Sequence, residues 1–389
     1  MRFTTSFAAT AFFAAAMAAS STDGLQSTQC VSSDASDDLY SHKVDVKYAK
    51  LFSVDYHKTY KKPSEKADAY IEVPVRSAAA WATTAAIFIE ALGVQNNIKN
   101  LGTAPSIVSP CLQKLLQERH PAVQRRAMPR RPSSRSSRTW TPSRTNTVYS
   151  VEYLEGSALG RSEWVKFFAP FFNAEERANK LFDSVASNYD CFKSKASKEY
   201  NDIRPVIAWT SYAAPSKFNN NTAYWQVSYA DYKYNLVRDA GARMLNTTDH
   251  QTTKFTKSDA FLHALEEADI LIDESGLSYN YTDLLKNYGI DDPSKVNYTW
   301  VKNSRIYRPD LIQSAEGGLG WFEAPFAFAD RPAAGHCRRR PPQVHQGRLQ
   351  VELVPQSRPR TRRSLWSLPD SCKDELAQRP DPCQPVLDG

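Results

Sequence analysis

The stretch from Asn173 to Tyr200, NAEERANKLFDSVASNYDCFKSKASKEY, constrains the fold of this chain more than any other. No Gly or Pro interrupts it. Ala178, Leu181, Phe182, Val185, Tyr189, Phe192 and Ala196 recur at steps of three and four, which is one face of a helix. Asn173 is placed to cap it, with Glu176 three residues on to complete a capping box. At 1.5 Å per residue the helix would be roughly 40 Å long. An aromatic segment, Trp164 to Phe172, precedes it, and a buried-strand pattern, RPVIAWTSY (Arg204 to Tyr212), follows it. A helix of this length with mixed α/β sequence on both sides can join two lobes. The same pattern also fits a surface helix of one domain.

The 389 residues leave room for two or three domains. Residues 1–19 read as a secretory signal: Arg2, an apolar run from Phe7 to Ala19, and small residues around Ala16 to Ala18. The run is too short for a membrane span. Four N-x-S/T sequons, at Asn220, Asn246, Asn280 and Asn297, together with that leader predict a secreted, eukaryotic-type glycoprotein at or beyond the cell surface. Six cysteines make no dense framework and have no zinc spacing, so no metal site is expected.

Residues 20–45 are Ser/Thr/Asp-rich and read as a disordered lead-in. Lys47 to Tyr60 alternates in character, which predicts one or two strands. Ile71 to Gly102 reads as a strand around Val73 to Ala80, a helix from Thr83 to Leu92 closed by Gly93, and a second strand near Ile98, a β-α-β start that implies a parallel sheet. After the long helix the rhythm repeats. Strands are expected at Val206 to Trp209, Ile270 to Ile272 and Arg305 to Tyr307. Helices are expected at Tyr229 to Ala240, Ser258 to Glu267 and Thr282 to Tyr288. Two stretches break the pattern. Residues 117–146 and 333–389 turn to Arg and Pro and nearly lose Lys, whereas 151–330 prefers Lys and is rich in Tyr and Asn. They read as out of frame, or for the tail as disordered. The expected absence of nucleic acid as a partner follows from secretion and from the lack of base-stacking aromatics among these arginines.

The segment VPVRSAAAWATTAAIFIEALGVQNNI resembles the opening of the helical-backbone periplasmic binding proteins, the substrate-binding components of iron-siderophore, haem and vitamin B12 importers. Val73, Pro74, Arg76, Thr83, Thr84, Leu92 and Gly93 stand in the family's order. The helix after Asn173 is similar to its inter-lobe spine, RPVIAW to the next strand, and DYKYNLVRDAGARMLN (Asp231 to Asn246) to its helix ending in Ala-Gly-Ala. LEEADILIDES (Leu265 to Ser275) and WVKNSRIYRPD (Trp300 to Asp310) resemble later strands. The matches span about 70 to 330. The resemblance implies an α/β fold of two Rossmann-like lobes, 46–172 and 201–332, joined by one spine helix, 173–200. It implies a monomer that captures a small organic ligand, such as a ferric siderophore, haem or corrinoid, and docks on a membrane transporter or receptor. No intrinsic cofactor is expected; a bound metal chelate or tetrapyrrole would be the ligand.

In open α/β sheets, ligands sit beyond the carboxyl ends of the strands. That rule nominates Trp81, Thr83 and Thr84 from the first lobe. From the second it nominates Trp209, Tyr212, Glu274, Arg308 and Trp321, with Trp225 on a loop beside Asn220. Aromatic walls, one cation and hydroxyl donors suit an organic anion. A catalytic reading has less support. The sequence contains no Gly-x-Ser-x-Gly and no phosphate loop. A hydrolase alternative would rest on Asp269, Asp273 and Glu274, and a structural glycoprotein that has lost its ligand is a third.

Overall fold

The computed structural model describes residues 42–56, 71–102, 106–119, 147–199, 204–246, 251–275, 280–309, 314, 318–330 and 354–355. The leader 1–19, nearly all of 20–45, the Arg/Pro stretch from 120 to 146 and most of 333–389 lie outside these residues.

The chain opens with β1 (Ala78–Ala80), α1 (Thr83–Ala91) and β2 (Ile98–Leu101). β1 and β2 pair in parallel, as the β-α-β pattern predicts. Gly93 ends α1 with φ of +74°, the left-handed conformation a helix C-terminus favours. β1 is shorter than the sequence suggests. Pro74 has no N–H to give to a ladder, and the Val75 N–H goes to the Phe171 carbonyl at 2.7 Å. Next come α2 (Pro110–Arg119), α3 (Ala158–Glu163), α4 (Val165–Phe168) and the 25-residue α5 (Glu175–Glu199).

α5 is one unbroken helix. Ala178, Leu181, Phe182, Val185 and Tyr189 are buried in the first core, while Phe192 and Ala196 are half-buried. The capping box does not form. Asn173 adopts φ of +52° and ends the preceding 3-10 turn. Glu176 bonds Lys180 at 2.6 Å instead.

The strands expected between Lys47 and Tyr60 are not present in the described part of that segment, and the reason is specific. Glu163, fully buried, accepts the backbone N–H groups of Lys47, Tyr48 and Ala49 at 2.6–3.0 Å. Glu155 accepts those of Lys50 and Leu51 at 2.9 and 3.0 Å. Five consecutive amides are satisfied by two carboxylates rather than by a ladder. Phe52 then packs against both Trp164 and Phe167, with ring centroids 4.9 and 5.4 Å away.

Beyond α5 lie β3 (Val206–Ala213), β4 (Tyr224–Ser228), α6 (Asp231–Asp239), β5 (Arg243–Met244), β6 (Thr253–Phe255), α7 (Ser258–Ala264), β7 (Ile270–Asp273), α8 (Tyr281–Asn287), α9 (Thr299–Lys302), β8 (Ile306–Arg308), α10 (Ala324–Ala327) and β9 (Val354–Pro355). The strands build one sheet in the order β6-β4-β3-β7-β8-β9, with β5 beside the first residues of β3. β3 pairs in parallel with β5 and β7, and β7 with β8; β4, β6 and β9 pair antiparallel, with β6 and β9 at the two ends of the order, and the sequence reading missed all three. β3 shows the period of two: Val206 and Ala208 pack on the α7–α8–α9 face, and Ile207 and Trp209 pack on the face shared with Val237 of α6. After β8 the chain crosses back, and Phe326 to Ala329 join the core that holds α1 and α5. The described residues are thus mixed α/β with two sheets, and α5 belongs to the core of the smaller one.

Candidate ligand site

A cavity of about 250 Å³ lies where α3, α6 and the segment 321–329 meet. Ala158 and Arg161 come from α3, Tyr232 and Leu236 from α6, and Trp321, Phe322 and Phe326 from the returning segment; Tyr153 closes the wall. Local chemistry sets each of these. Ser157 caps α3 by accepting the Gly160 N–H at 3.0 Å, which starts the helix so that Arg161 falls on the side facing α6. The Arg161 guanidinium donates to the carbonyls of Glu155 at 2.9 Å and Tyr153 at 2.7 Å. Its centre lies 3.6 Å from the Tyr232 ring centroid and 5.0 Å from that of Phe326, a cation held between aromatic faces. Burial pushes the Arg161 pKa down, opposed by Tyr232, Glu152 and Glu155. Burial and the charge of Glu274 push the Tyr232 hydroxyl up, so it stays protonated.

Behind Trp321 lies a second layer. Trp321 stacks on Trp209, with centroids 5.6 Å apart, and donates its Nε1–H to Glu274 at 3.0 Å. Glu274 also pairs with Lys233, whose ammonium sits 5.0 Å from the Trp209 ring centroid. The Trp209 Nε1–H is buried with no hydrogen-bond partner among the described residues. Trp209, Glu274 and Trp321 are therefore brought together, and Trp321 reaches the cavity wall.

The other nominated residues go elsewhere. Trp81 is exposed and covers Gly102, where an added Cβ would meet its ring at 2.5 Å. Thr83 begins α1, and Thr84 donates its hydroxyl to Glu152. Tyr212 and Trp225 are not loop residues: they face each other across β3 and β4, 5.6 Å apart, and pack on the opposite face of the sheet. Arg308 does not follow its strand but ends it. It is buried and bonds Asp273 at 2.6 Å. Strand register packs Tyr212 and Trp225 half-buried against the larger core and buries Arg308, a distinction that residue type does not carry.

The three acids of the hydrolase alternative are each engaged within the fold. Asp269 accepts the Val206 N–H at 2.8 Å. Asp273, fully buried, accepts from Tyr288 at 2.6 Å, from Ser275 at 2.5 Å and from Arg308. Burial pushes the Asp273 pKa up, against the pull of Arg308. Among the described residues, no group of three or more His, Cys, Asp or Glu is placed to hold a metal ion, and no helix is long and apolar enough to cross a membrane. Sequence reasoning missed Arg161, Tyr153 and Tyr232. Arg161 stands on α3 and Tyr232 on α6, and nothing in their spacing shows that these helices meet.

No known protein family matches the chain. An uncharacterized lipoprotein of Methanocaldococcus jannaschii is 26% identical over 166 residues, which is 41% of this chain and 36% of the relative. Another uncharacterized protein of that archaeon is 24% identical over 157 residues, 40% of this chain and 44% of the relative. The matched part of the chain spans less than half the length of either. Similar solved structures include Helicobacter pylori CeuE with Ni(II) bound, at TM-score 0.41 and 12% identity, covering 68% of this chain and 86% of that one. A periplasmic heme binding protein from Pseudomonas aeruginosa has TM-score 0.38 and 15% identity, covering 66% and 90%. An ABC transporter substrate-binding protein from Listeria monocytogenes has TM-score 0.36 and 16% identity, covering 65% and 95%.

Proposed function

We propose that this chain is an extracytoplasmic solute-binding protein of two lobes and one spine helix, α5, and that it captures a small organic ligand in the Arg161–Trp321 cavity. The observation that carries this reading is the origin of the wall: α3 belongs to the first core, α6 bridges that core through Leu236 and the face of the larger sheet through Val237, and one aromatic-lined space opens where they meet. Convergence of separate elements on a mostly apolar pocket with a few polar groups is the usual form of a ligand site. The ordered motifs from Val73 to Asp310 support the same class. So do Cys111 and Cys191, each disulfide-bonded, a state favoured outside the cytoplasm. A lipoprotein among the relatives agrees with that compartment.

In this reading the protein acts as a monomer that hands its ligand to a membrane transporter or receptor, and it carries glycans on Asn220, Asn246, Asn280 and Asn297, all four of which are exposed. The resemblance makes a ferric siderophore, haem or corrinoid the first ligands to try. Protein purified from its own source is examined by native mass spectrometry for a co-purified small molecule, and ferric siderophores, haem and cobalamin are titrated against tryptophan fluorescence. Arg161→Gln and Trp321→Ala should each weaken binding by about tenfold or more, roughly 1.4 kcal/mol, with unchanged circular dichroism. If no small molecule co-purifies or binds, the reading fails.

A further inference from the structure

We propose that the Arg161–Trp321 cavity accepts a flat aromatic ligand of one or two rings that carries no negative charge, because the cation of its wall is already matched by buried acids of this chain. The inference rests on the solute-binding reading and departs from the anionic chelate that the resemblance implies.

Size is the first ground. A space of about 250 Å³ falls below the roughly 300–1,000 Å³ of pockets that hold drug-sized ligands. Half of the wall is aromatic: Tyr153, Tyr232, Trp321, Phe322 and Phe326. Trp321 is braced from behind by Trp209 and tethered by Glu274, so its indole plane is fixed for stacking.

Charge is the second. Arg161 is the cation of the wall, and it is not available as a surplus charge. Glu152 and Glu155, both buried, lie close enough to interact with it electrostatically. Glu155 is spoken for by the Lys50 and Leu51 amides and by the Trp164 indole at 3.2 Å. Glu152 differs: its Oε1 accepts from Thr84, and its Oε2 is buried with no hydrogen-bond partner among the described residues. Lys233, beside Tyr232, is matched by Glu274. Around the guanidinium there are thus two buried carboxylates for one cation. An incoming anion would meet an excess of negative charge in a medium that screens it poorly.

The test uses three ligands that share one ring system and differ in charge: 2-naphthol, 2-naphthylmethylammonium and 2-naphthoate. Each is titrated calorimetrically into the full chain at neutral pH. The first two are expected to bind, and 2-naphthoate to bind about tenfold or more weaker. Glu152→Gln keeps the acceptor for Thr84 and removes the charge. It should strengthen 2-naphthoate specifically and shrink the gap to about threefold or less, whereas a purely structural role would weaken all three alike. Should that variant not fold, the wild-type series alone decides. Equal or tighter binding of 2-naphthoate overturns the proposal. So does failure of all three while a ferric siderophore or haem binds, an outcome that leaves the solute-binding reading standing. If neither the naphthyl series nor the chelates bind, both fall together.

Discussion

The two cores satisfy their buried backbones in opposite ways. Around α5 the sheet is two short strands, and the segment from Lys47 to Leu51 hangs its amides on Glu163 and Glu155. Around β3 there is a ladder: β5 on its first two residues, β4 on its last five, and β7 along the other side. A ladder spreads the work over many equivalent bonds, and losing one side chain leaves the rest intact. A buried carboxylate concentrates it, so that one side chain serves several amides and itself needs a partner. For Glu163 that partner is Lys166, at 3.1 Å, which in turn bonds the Asp45 carbonyl at 2.6 Å. The lesson is that fragility should be concentrated in the first core and diffuse in the second.

The largest expected effect follows directly. Glu163→Ala strips the acceptor from three amides and leaves the buried Lys166 ammonium without its carboxylate. Removing one member of a buried charged pair costs about 3–5 kcal/mol. Denaturant unfolding should show a loss in that range, and a loss below about 1 kcal/mol would mean that water or a shifted loop replaces the carboxylate easily. Leu181→Ala comes next. Leu181 is buried at the centre of the α5 face, and truncating such a residue costs about 2–5 kcal/mol depending on how far the site collapses. A value under about 1 kcal/mol would show that α5 is held by its ends rather than by this core.

These two residues also mark how much was legible. Leu181 was: the three-and-four spacing of α5 is local, and so are the strands around Ile207 and Leu271, short apolar runs bounded by Pro205 and Thr210 and by Asp269 and Asp273. Helices α1, α6, α7 and α8 fall within a few residues of the periods that predict them. Glu163 was not. Its role depends on a contact with Lys47, 116 residues away, and the alternation from Lys47 to Tyr60 imitates a strand. β4 and β6 were missed because strands that are mostly half-buried lack a clean apolar run. The site was legible only in part. Trp209, Glu274 and Trp321 do cluster, but Tyr212, Trp225 and Arg308 have the same residue types and end up in core, since register rather than composition decides which face a strand residue takes. Arg161 and Tyr232 meet only through the packing of α3 against α6.

A pH experiment sharpens the comparison on the first core. Glu323, buried where the returning segment meets the loop before α2, accepts the Val108 N–H at 2.9 Å. Burial raises its pKa from 4.5 to about 7, against the smaller pull of that bond. A raised carboxylate pKa means that the folded state holds its proton where the unfolded state has released it. The contribution is therefore complete below about pH 4.5 and is lost as pH rises through about 7. At 1.36 kcal/mol per unit the loss is on the order of 3 kcal/mol. Unfolding measured from pH 4.5 to 8 should show it in the parent and not in Glu323→Gln. Parallel curves for the two proteins would remove Glu323 from the account.

The smallest expected effect tests the second core with the nearest equivalent of Glu163. Asp269, just before β7, accepts the Val206 N–H at 2.8 Å, and its own N–H bonds the Val206 carbonyl at 2.9 Å. Here one carboxylate serves one amide, and that amide lies at the start of β3, where the contact is only part-buried. In Asp269→Ala the backbone bond from residue 269 to Val206 survives, and the ladder from Ile207 onward is unchanged. The net cost should be that of a single hydrogen bond, about 1 kcal/mol. Run beside Glu163→Ala under the same denaturant, the pair measures the contrast itself. A ratio of about three or more is what separates carboxylate-hung backbone from laddered backbone. Equal losses would mean that the ladder does not share its load as described, and that Asp269 is as singular a support for β3 as Glu163 is for the segment from Lys47 to Ala49.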